Sequence, residues 1–359
     1  MFRYIRKRIL YGLLVMLGVV VLVFFLFNIL PGDPARMMLG QRADEESVMI
    51  INRDLGRDKP LYQQFFNYLN DLSPISFHNN SNSESYWYLD STKYSPYCTL
   101  AAIGETSVVL KYPYLRRSYQ SKRPVADILT EAFPKTALLA IVAMTFALAV
   151  GITIGIFSAL YKDSIFDKVA FFVSVIGMSL PSFFAAILIA WLFAYVLADY
   201  TGLNMFGNLF TVDDYGTGEY LDLKNLILPA LTLGIRPLAV IIELTKNSML
   251  EVLSQDYIRT AKAKGLKKVK IIWHHALQNA LNPIVTSASG WLAGLMAGAV
   301  FVEYVFDWKG MGIVIVDGLE KYDFPVVMGA ILFICAILVV INILVDIIYG
   351  ILDPRVRLE

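Results

Sequence analysis

The sequence predicts an all-α polytopic membrane protein with six transmembrane helices. Three observations predict it. The 359-residue chain is 57% hydrophobic and only 17% charged, with a mean hydropathy of +0.58, whereas soluble domains carry roughly 25% charged residues. Six stretches each supply the roughly 20 mostly apolar residues that a spanning helix needs. Basic residues gather in alternate connections, the asymmetry that orients membrane proteins. Net charge is +1, so no global field argues for a nucleic-acid partner.

The first span is Ile9 to Leu30. Arg3, Arg6, Lys7 and Arg8 precede it, as in a signal peptide, but the apolar core is long and lacks a small-x-small cleavage site. It reads as an uncleaved helix. The second span is about Pro134 to Leu160 and the third about Val169 to Ala198. Ser179-Leu-Pro181-Ser182 interrupts the third; proline removes a backbone donor and kinks a helix, and flanking serines can satisfy the freed carbonyls. The fourth, about Leu226 to Leu244, contains Pro229 and Pro237. The fifth is about Pro283 to Phe306 and the sixth about Val326 to Ile351. Three regions follow: 1–30, the tail and first helix; 31–133, a large loop; and 134–359, a five-helix core with a polar loop at about 246–282.

Lys and Arg in short loops set the orientation. The N-terminal tail is basic without an acid. The loop after the fourth span carries Lys246, Arg259, Lys262, Lys264, Lys267, Lys268 and Lys270 against Glu251 and Asp256. The C-terminal tail carries Arg355 and Arg357. After the third span the balance reverses, with Asp199, Asp213, Asp214, Glu219 and Asp222 against Lys224. Both termini and the polar loop are therefore predicted to be cytoplasmic, and the large loop after the first helix extracytoplasmic. Loops of that length are largely exempt from the charge rule. Cys98 falls in a polar stretch and Cys335 in an apolar run, so the two are not expected to pair.

The polar loop is the most informative stretch. Lys246 to Ala263 are good helix formers, with Leu250, Leu253, Tyr257 and Ala261 at helical spacings. Gly265 breaks the run, since glycine takes positive φ at a helix end. A second helix is predicted over about Lys267 to Leu277, with Val269, Ile272 and Trp273 opposing Lys267, Lys268 and Lys270. Ala261 and Gly265 leave a compact surface suited to a protein groove.

In the fifth span Gly290, Gly294 and Gly298 recur every four residues on one face, where small residues let backbones approach in lipid. Gly151 and Gly155 do the same in the second span. Asn282, Thr286, Ser287 and Ser289 are the polar residues that could line a pathway. Glu243 and Asp346 are ionisable residues near membrane depth, each within about two turns of the predicted cytoplasmic end. His274 and His275 are adjacent, so on a helix they point about 100° apart and cannot chelate one metal. No metal site is predicted.

The stretch Arg259-Thr260-Ala261-Lys262-Ala263-Lys264-Gly265 resembles the EAA loop, Glu-Ala-Ala-x-x-x-Gly, of ATP-binding-cassette importer permeases. The whole chain resembles the dipeptide/oligopeptide/nickel branch, first-permease type. Supporting strings are Leu30-Pro-Gly-Asp-Pro34, Asp54-Leu-Gly-Arg-Asp-Lys-Pro60, Arg123-Pro-Val-Ala-Asp-Ile128, Val302-Glu-Tyr-Val-Phe306 with Gly310-Met-Gly312, and Asp353-Pro-Arg355. The general motif's Glu is Arg259 here, its first Ala is Thr260, and its closing proline corresponds to Gln278. About 73–118, rich in Ser, Asn and Tyr, matches no family string and looks like an insertion.

The resemblance implies a permease subunit in a bacterial inner membrane, forming half of a pathway for peptides or related small solutes. Nickel chelates or modified peptides are the alternative cargo. It implies a coupling helix around Gly265, Leu266, Lys267, Lys268, Val269 and Ile272 seated on a cytoplasmic ATPase, one or two of which bind ATP and Mg. Further implied partners are a second homologous permease subunit and an extracytoplasmic substrate-binding protein. The chain has no Gly-x-x-x-x-Gly-Lys-Ser/Thr phosphate loop of its own, so it is not read as an enzyme. An intramembrane hydrolase would show His-Glu-x-x-His or Gly-x-Ser-x-Gly, and neither string occurs. A self-sufficient secondary carrier would show inverted halves with helices broken at midplane, and no such symmetry is evident.

Overall fold

The structure is a computed structural model that describes residues 2–29, 45–54, 57–82, 85–94, 96–212 and 218–352. The strings at 30–34 and 353–355, the acids Asp213 and Asp214, and the C-terminal Arg355 and Arg357 lie outside the described residues. In chain order the elements are α1 (Phe2–Ile29), α2 (Glu45–Asp54), α3 (Leu61–Leu72), β1 (Ile75–Asn79), β2 (Tyr97–Ile103), β3 (Thr106–Lys111) and α4 (Val125–Leu160). Then come α5 (Ile165–Ser179), α6 (Ser182–Trp191), β4 (Phe210–Val212), β5 (Glu219–Leu221), α7 (Lys224–Leu253) and α8 (Asp256–Ala263). The last are α9 (Leu277–Gly298), α10 (Val300–Phe306), α11 (Met311–Glu320) and α12 (Phe324–Leu352). Four helices are long and apolar enough to cross a membrane, and two bent pairs bring the number to as many as six.

The chain divides into two compact units. The helical unit comprises Ala132–Ile313 and Val340–Glu359; the mixed unit comprises Phe2–Glu131 and Val314–Val339.

In the helical unit α7 is the central element, packed along α5, α6 and α9. Its interior is built from small residues: Ala140, Ala143, Ala147, Ala186 and Ala230 are buried together with Leu139, Ile241 and Ile284. Phe306 and Trp308 are the largest side chains buried with them, whereas Phe171, Phe172 and Val173 on α5 are exposed, as a lipid-facing surface requires. Small residues permit close backbones. A Cβ on Gly155 would lie 2.5 Å from Thr245 Cβ, and one on Gly234 would lie 2.9 Å from the Ala143 carbonyl oxygen. The expectation for Gly155 thus has a physical counterpart in the α4–α7 contact.

The proline break in the third predicted span is far sharper than a kink. α5 and the segment Ser182–Val196 meet at 114°. Leu180 and Pro181 are both extended, with ψ of 129° and 140°. Proline forces its predecessor out of the helical region and offers no N–H, so two successive extended residues turn the chain. The Ser179 hydroxyl donates to the Val175 carbonyl at 2.7 Å. In the fifth span α10 bends by 56° from the preceding helix.

The mixed unit contains strands that the helical reading did not anticipate. β3 is the centre of an antiparallel sheet ordered β1-β3-β2, and Gly104, at φ +61°, closes the β2–β3 hairpin. Its alternation is inverted. Ser76, His78, Ser107 and Lys111 are buried while Ile75, Phe77 and Leu110 are exposed. The buried side rests on Asp71 of α3, which accepts the hydroxyls of Tyr86 at 2.7 Å and Tyr94 at 2.8 Å. The Lys93 ammonium stands 3.7 Å from the same carboxylate, and Lys111 Nζ donates to the Asp71 carbonyl at 2.6 Å. A separate apolar cluster joins Val23, Phe24 and Phe27 of α1 to Tyr68 of α3 and to Val327 and Leu332 of α12.

Candidate functional site

The polar loop forms a closed structural unit. α7 ends at Leu253, Gln255 is extended (ψ 151°), and α8 begins at Asp256. The predicted continuous helix from Lys246 to Ala263 is therefore two helices meeting at Ser254 and Gln255. Ile258 and Ala261 of α8 are buried against Ile156 and Ala159 of α4 and Met249 of α7. Gly265 follows at φ +72° with open space where a Cβ would stand, so its backbone angle, not crowding, calls for glycine.

Beyond Gly265, a turn at Lys268–Lys270 leads into a π-helical turn, Ile271–Ala276. The extra residue of a π turn shifts the apolar face. Ile271 becomes the buried anchor, while Val269 and Trp273 remain exposed and Ile272 is half-buried. Arg259, Thr260, Lys262, Ala263, Lys264, Gly265, Lys267 and Lys268 are all exposed, Leu266 is half-buried, and Ala261 points inward. The loop thus has an apolar inner side, fixed on the helical unit, and a cationic outer side with two protruding apolar residues. Lys246 is held elsewhere: its ammonium lies 2.6 Å from Asp167 on α5.

The second candidate surface is the exposed side of α9. Asn282, Thr286, Gly290 and Gly294 share it, with Ser287 and Ser289 half-buried at its margin. Thr286 donates to the Asn282 carbonyl at 3.0 Å and Ser289 to the Thr286 carbonyl at 2.8 Å, so both hydroxyls are satisfied within their own helix. A Cβ on Gly290 or Gly294 would meet nothing within 4 Å. No described residue of this chain covers those two glycines, and Gly298 is the last residue of α9.

Two features escaped the sequence reading. Glu303 on α10 is fully buried and accepts the Thr136 hydroxyl at 2.6 Å and the Gly312 amide at 2.6 Å. Thr136 also accepts the Met311 amide at 2.8 Å. A Cβ on Gly310 would stand 2.4 Å from Thr136 Oγ1, and one on Gly312 2.5 Å from Val300 Cα. The pairing of Val302-Glu-Tyr-Val-Phe306 with Gly310-Met-Gly312 therefore has a steric cause. The other feature is Arg236, an exposed cation between Ile235 and Pro237 inside α7. A charge flanked by apolar residues in a predicted span was the available signal. Of the two ionisable residues that were singled out, Glu243 is exposed and Asp346 half-buried.

The comparisons with known proteins agree with this architecture. Residues 151–358 match the family described as the binding-protein-dependent transport system inner membrane component, and residues 1–82 match its N-terminal counterpart. The chain belongs to this family. It is 33% identical to the dipeptide transport system permease protein DppB of Escherichia coli (strain K12) over 377 residues, covering 99% of each chain. It is equally identical to the di/tripeptide transport system permease protein DppB of Pseudomonas aeruginosa (strain UCBPP-PA14) over 376 residues, covering 99% of each. The glutathione transport system permease protein GsiC of Escherichia coli (strain K12) is also 33% identical, over 358 residues, with 99% of each covered. A solved chain of the MetNI methionine ABC transporter, in inward-facing conformations, superposes with a TM-score of 0.50 at 16% identity, covering 64% of this chain and 97% of that one. The protein is thus a multi-pass inner-membrane permease subunit of an ABC importer, with the fold of such permeases.

Proposed function

We propose that this permease subunit forms half of a translocation pathway for short peptides and is driven by separate ATPase subunits gripping the loop at about 246–282. The observation that carries the reading is the two-sidedness of that loop. Its inner side is buried on the helical unit through Ile258, Ala261 and Ile271, while Arg259, Lys262, Lys264, Lys267, Lys268 and Val269 face outward. A handle of this kind transmits displacement because its inner face is packed into the helices it must move, and energy passes as a difference in contacts between two states.

In this reading six spans place both termini and the Lys-rich loop in the cytoplasm and the 31–133 region outside, with ATP and Mg held by the ATPase chains. A second homologous permease subunit covers the open Gly290–Gly294 face of α9, and Asn282, Thr286, Ser287 and Ser289 line or border the pathway. An extracytoplasmic binding protein delivers the solute. Peptide cargo is supported by the DppB relatives of two organisms, whose names state dipeptide and di/tripeptide transport.

Reconstitution tests the proposal. Proteoliposomes holding this chain alone are expected to show no uptake of a radiolabelled dipeptide. Addition of the second permease, the ATPases, the binding protein and MgATP is expected to establish uptake. Uptake by the chain alone under an ion gradient would overturn the reading.

A further inference from the structure

Arg236 stands twelve residues into the 30-residue helix α7, about 18 Å from its start at 1.5 Å per residue. That is too deep for an arginine to reach a membrane surface by extending its side chain, the usual solution for a cation near a helix end. It is exposed, and among the described residues it makes no hydrogen bond or ion pair. The side chain borders a cavity of about 170 Å³ whose other walls include Gly177 and Ser182 at the α5–α6 break, Thr232 on α7, and Trp291 and Gly294 on α9. On the α9 wall Gly294 leaves open space where a Cβ would stand, while Gly177 lets α5 approach Ile235 of α7. The cavity adjoins the same uncovered stretch of α9 that carries Gly290 and Gly294.

A solitary guanidinium at mid-depth is expensive to maintain unless an anion or water meets it. Among the described residues no carboxylate does so: Glu243 is seven residues further along α7, about 10 Å up the axis, and Asp167 is occupied by Lys246. Among the cationic side chains, guanidinium is the one whose planar fork matches a carboxylate bidentately. We infer that Arg236 is the pathway's carboxylate-recognition point, pairing transiently with the free C-terminal carboxylate of a passing peptide. The inference rests on the peptide-importer reading above and adds the group that the pathway recognises. It also gives the α5–α6 break a role, since Leu180 and Ser182 at the turn line the same cavity as Arg236.

The test uses the assembled transporter with its binding protein and MgATP. One arm places Arg236→Cys in a Cys98→Ser/Cys335→Ala background and measures labelling by a membrane-impermeant, anionic thiosulfonate. Labelling is expected, and its absence in every nucleotide state overturns the proposal whatever the cargo. The second arm compares uptake of alanyl-alanine with that of its C-terminal amide, each as a ratio to wild type, so that any preference of the binding protein cancels. Arg236→Gln is expected to lower uptake of the free acid at least tenfold and that of the amide less than twofold, with Arg236→Lys intermediate. An equal fall for both peptides would show a merely structural residue, and no fall for either would show an idle one; both overturn the assignment. A wild-type transporter that imports neither peptide overturns the peptide reading itself, and with it the ligand assigned here.

Discussion

The carboxylate of Glu303 receives the hydroxyl of Thr136 at 2.6 Å, across 167 residues of sequence. This contact ties the start of the long helix α4 to α10, and the Gly312 and Met311 amides complete it. Thr136→Val removes one donor and one acceptor together. Each buried group left without a partner costs about 1–3 kcal/mol. The melting temperature of the purified protein should fall by several degrees, and Thr136→Ser should restore it. Unchanged melting of the valine variant would show that the contact contributes nothing.

Gly265 should not tolerate a β-branched residue. Its φ of +72° costs an L-residue about 1–2 kcal/mol, and branching at Cβ raises the penalty. Gly265→Val should leave membrane insertion intact, preserve ATP hydrolysis and abolish most uptake, whereas Gly265→Asn should retain more of it. Normal transport by the valine variant would remove the loop from the coupling path.

The Lys246–Asp167 pair is well shielded, with side-chain exposures of 23% and 6%. Removing one partner strands the other, which costs more than removing both. Lys246→Met should therefore melt below the Asp167→Ala/Lys246→Met double variant. A coupling of about 1–3 kcal/mol is expected, above that of most surface pairs; a cycle giving zero would reduce the pair to coincidence.

Asp71 is the hub of the mixed unit. Asp71→Asn takes the charge away from two phenolic donors and leaves Lys93 and Arg116 short of a counter-ion. A loss of about 3 kcal/mol is expected, visible as faster proteolysis within 73–118. A protease-resistance profile matching wild type would argue against that role.

The same cluster sets a pH optimum. Burial, reinforced by the neighbouring Lys93 and opposed by Asp71, pushes Lys111 down from 10.5 to about 8. Between about 8 and 10.5 the unfolded chain therefore holds more protons than the folded one, and stability rises with pH. Burial pushes Tyr68, Tyr86 and Tyr94 up from 10.0. Above pH 10 the unfolded chain sheds those phenolic protons first, and stability falls. Stability of this unit should peak between those limits, and Lys111→Met should flatten the rising limb. A wild-type curve that declines steadily from pH 8 would refute the assignment.

Much of the helical architecture was legible because lipid imposes long apolar runs, and Gly265 was legible because few residues accept its backbone angle. Other features lay beyond pattern reading. The direction of the turn at Leu180 and Pro181 depends on two successive ψ angles, which no residue type encodes alone. Ile271 was overlooked because periodicity assumes 3.6 residues per turn and the local turn is wider. β1 alternates, but its polar residues Ser76 and His78 are the buried ones and lie within hydrogen-bond distance of each other, the reverse of the usual expectation for a strand. Arg236 was diluted by the apolar residues around it, so a window average conceals what a single charge reveals.

The alanine-lined interior and phenylalanine-studded exterior of the helical unit invert the customary map of mutational tolerance. Replacing Ala143 or Ala147 by a bulkier apolar residue should do more harm than trimming Phe171 or Phe172, because overfilling a close helix contact forces backbones apart. Here hydrophobicity is a poor guide to fragility, and side-chain volume a good one.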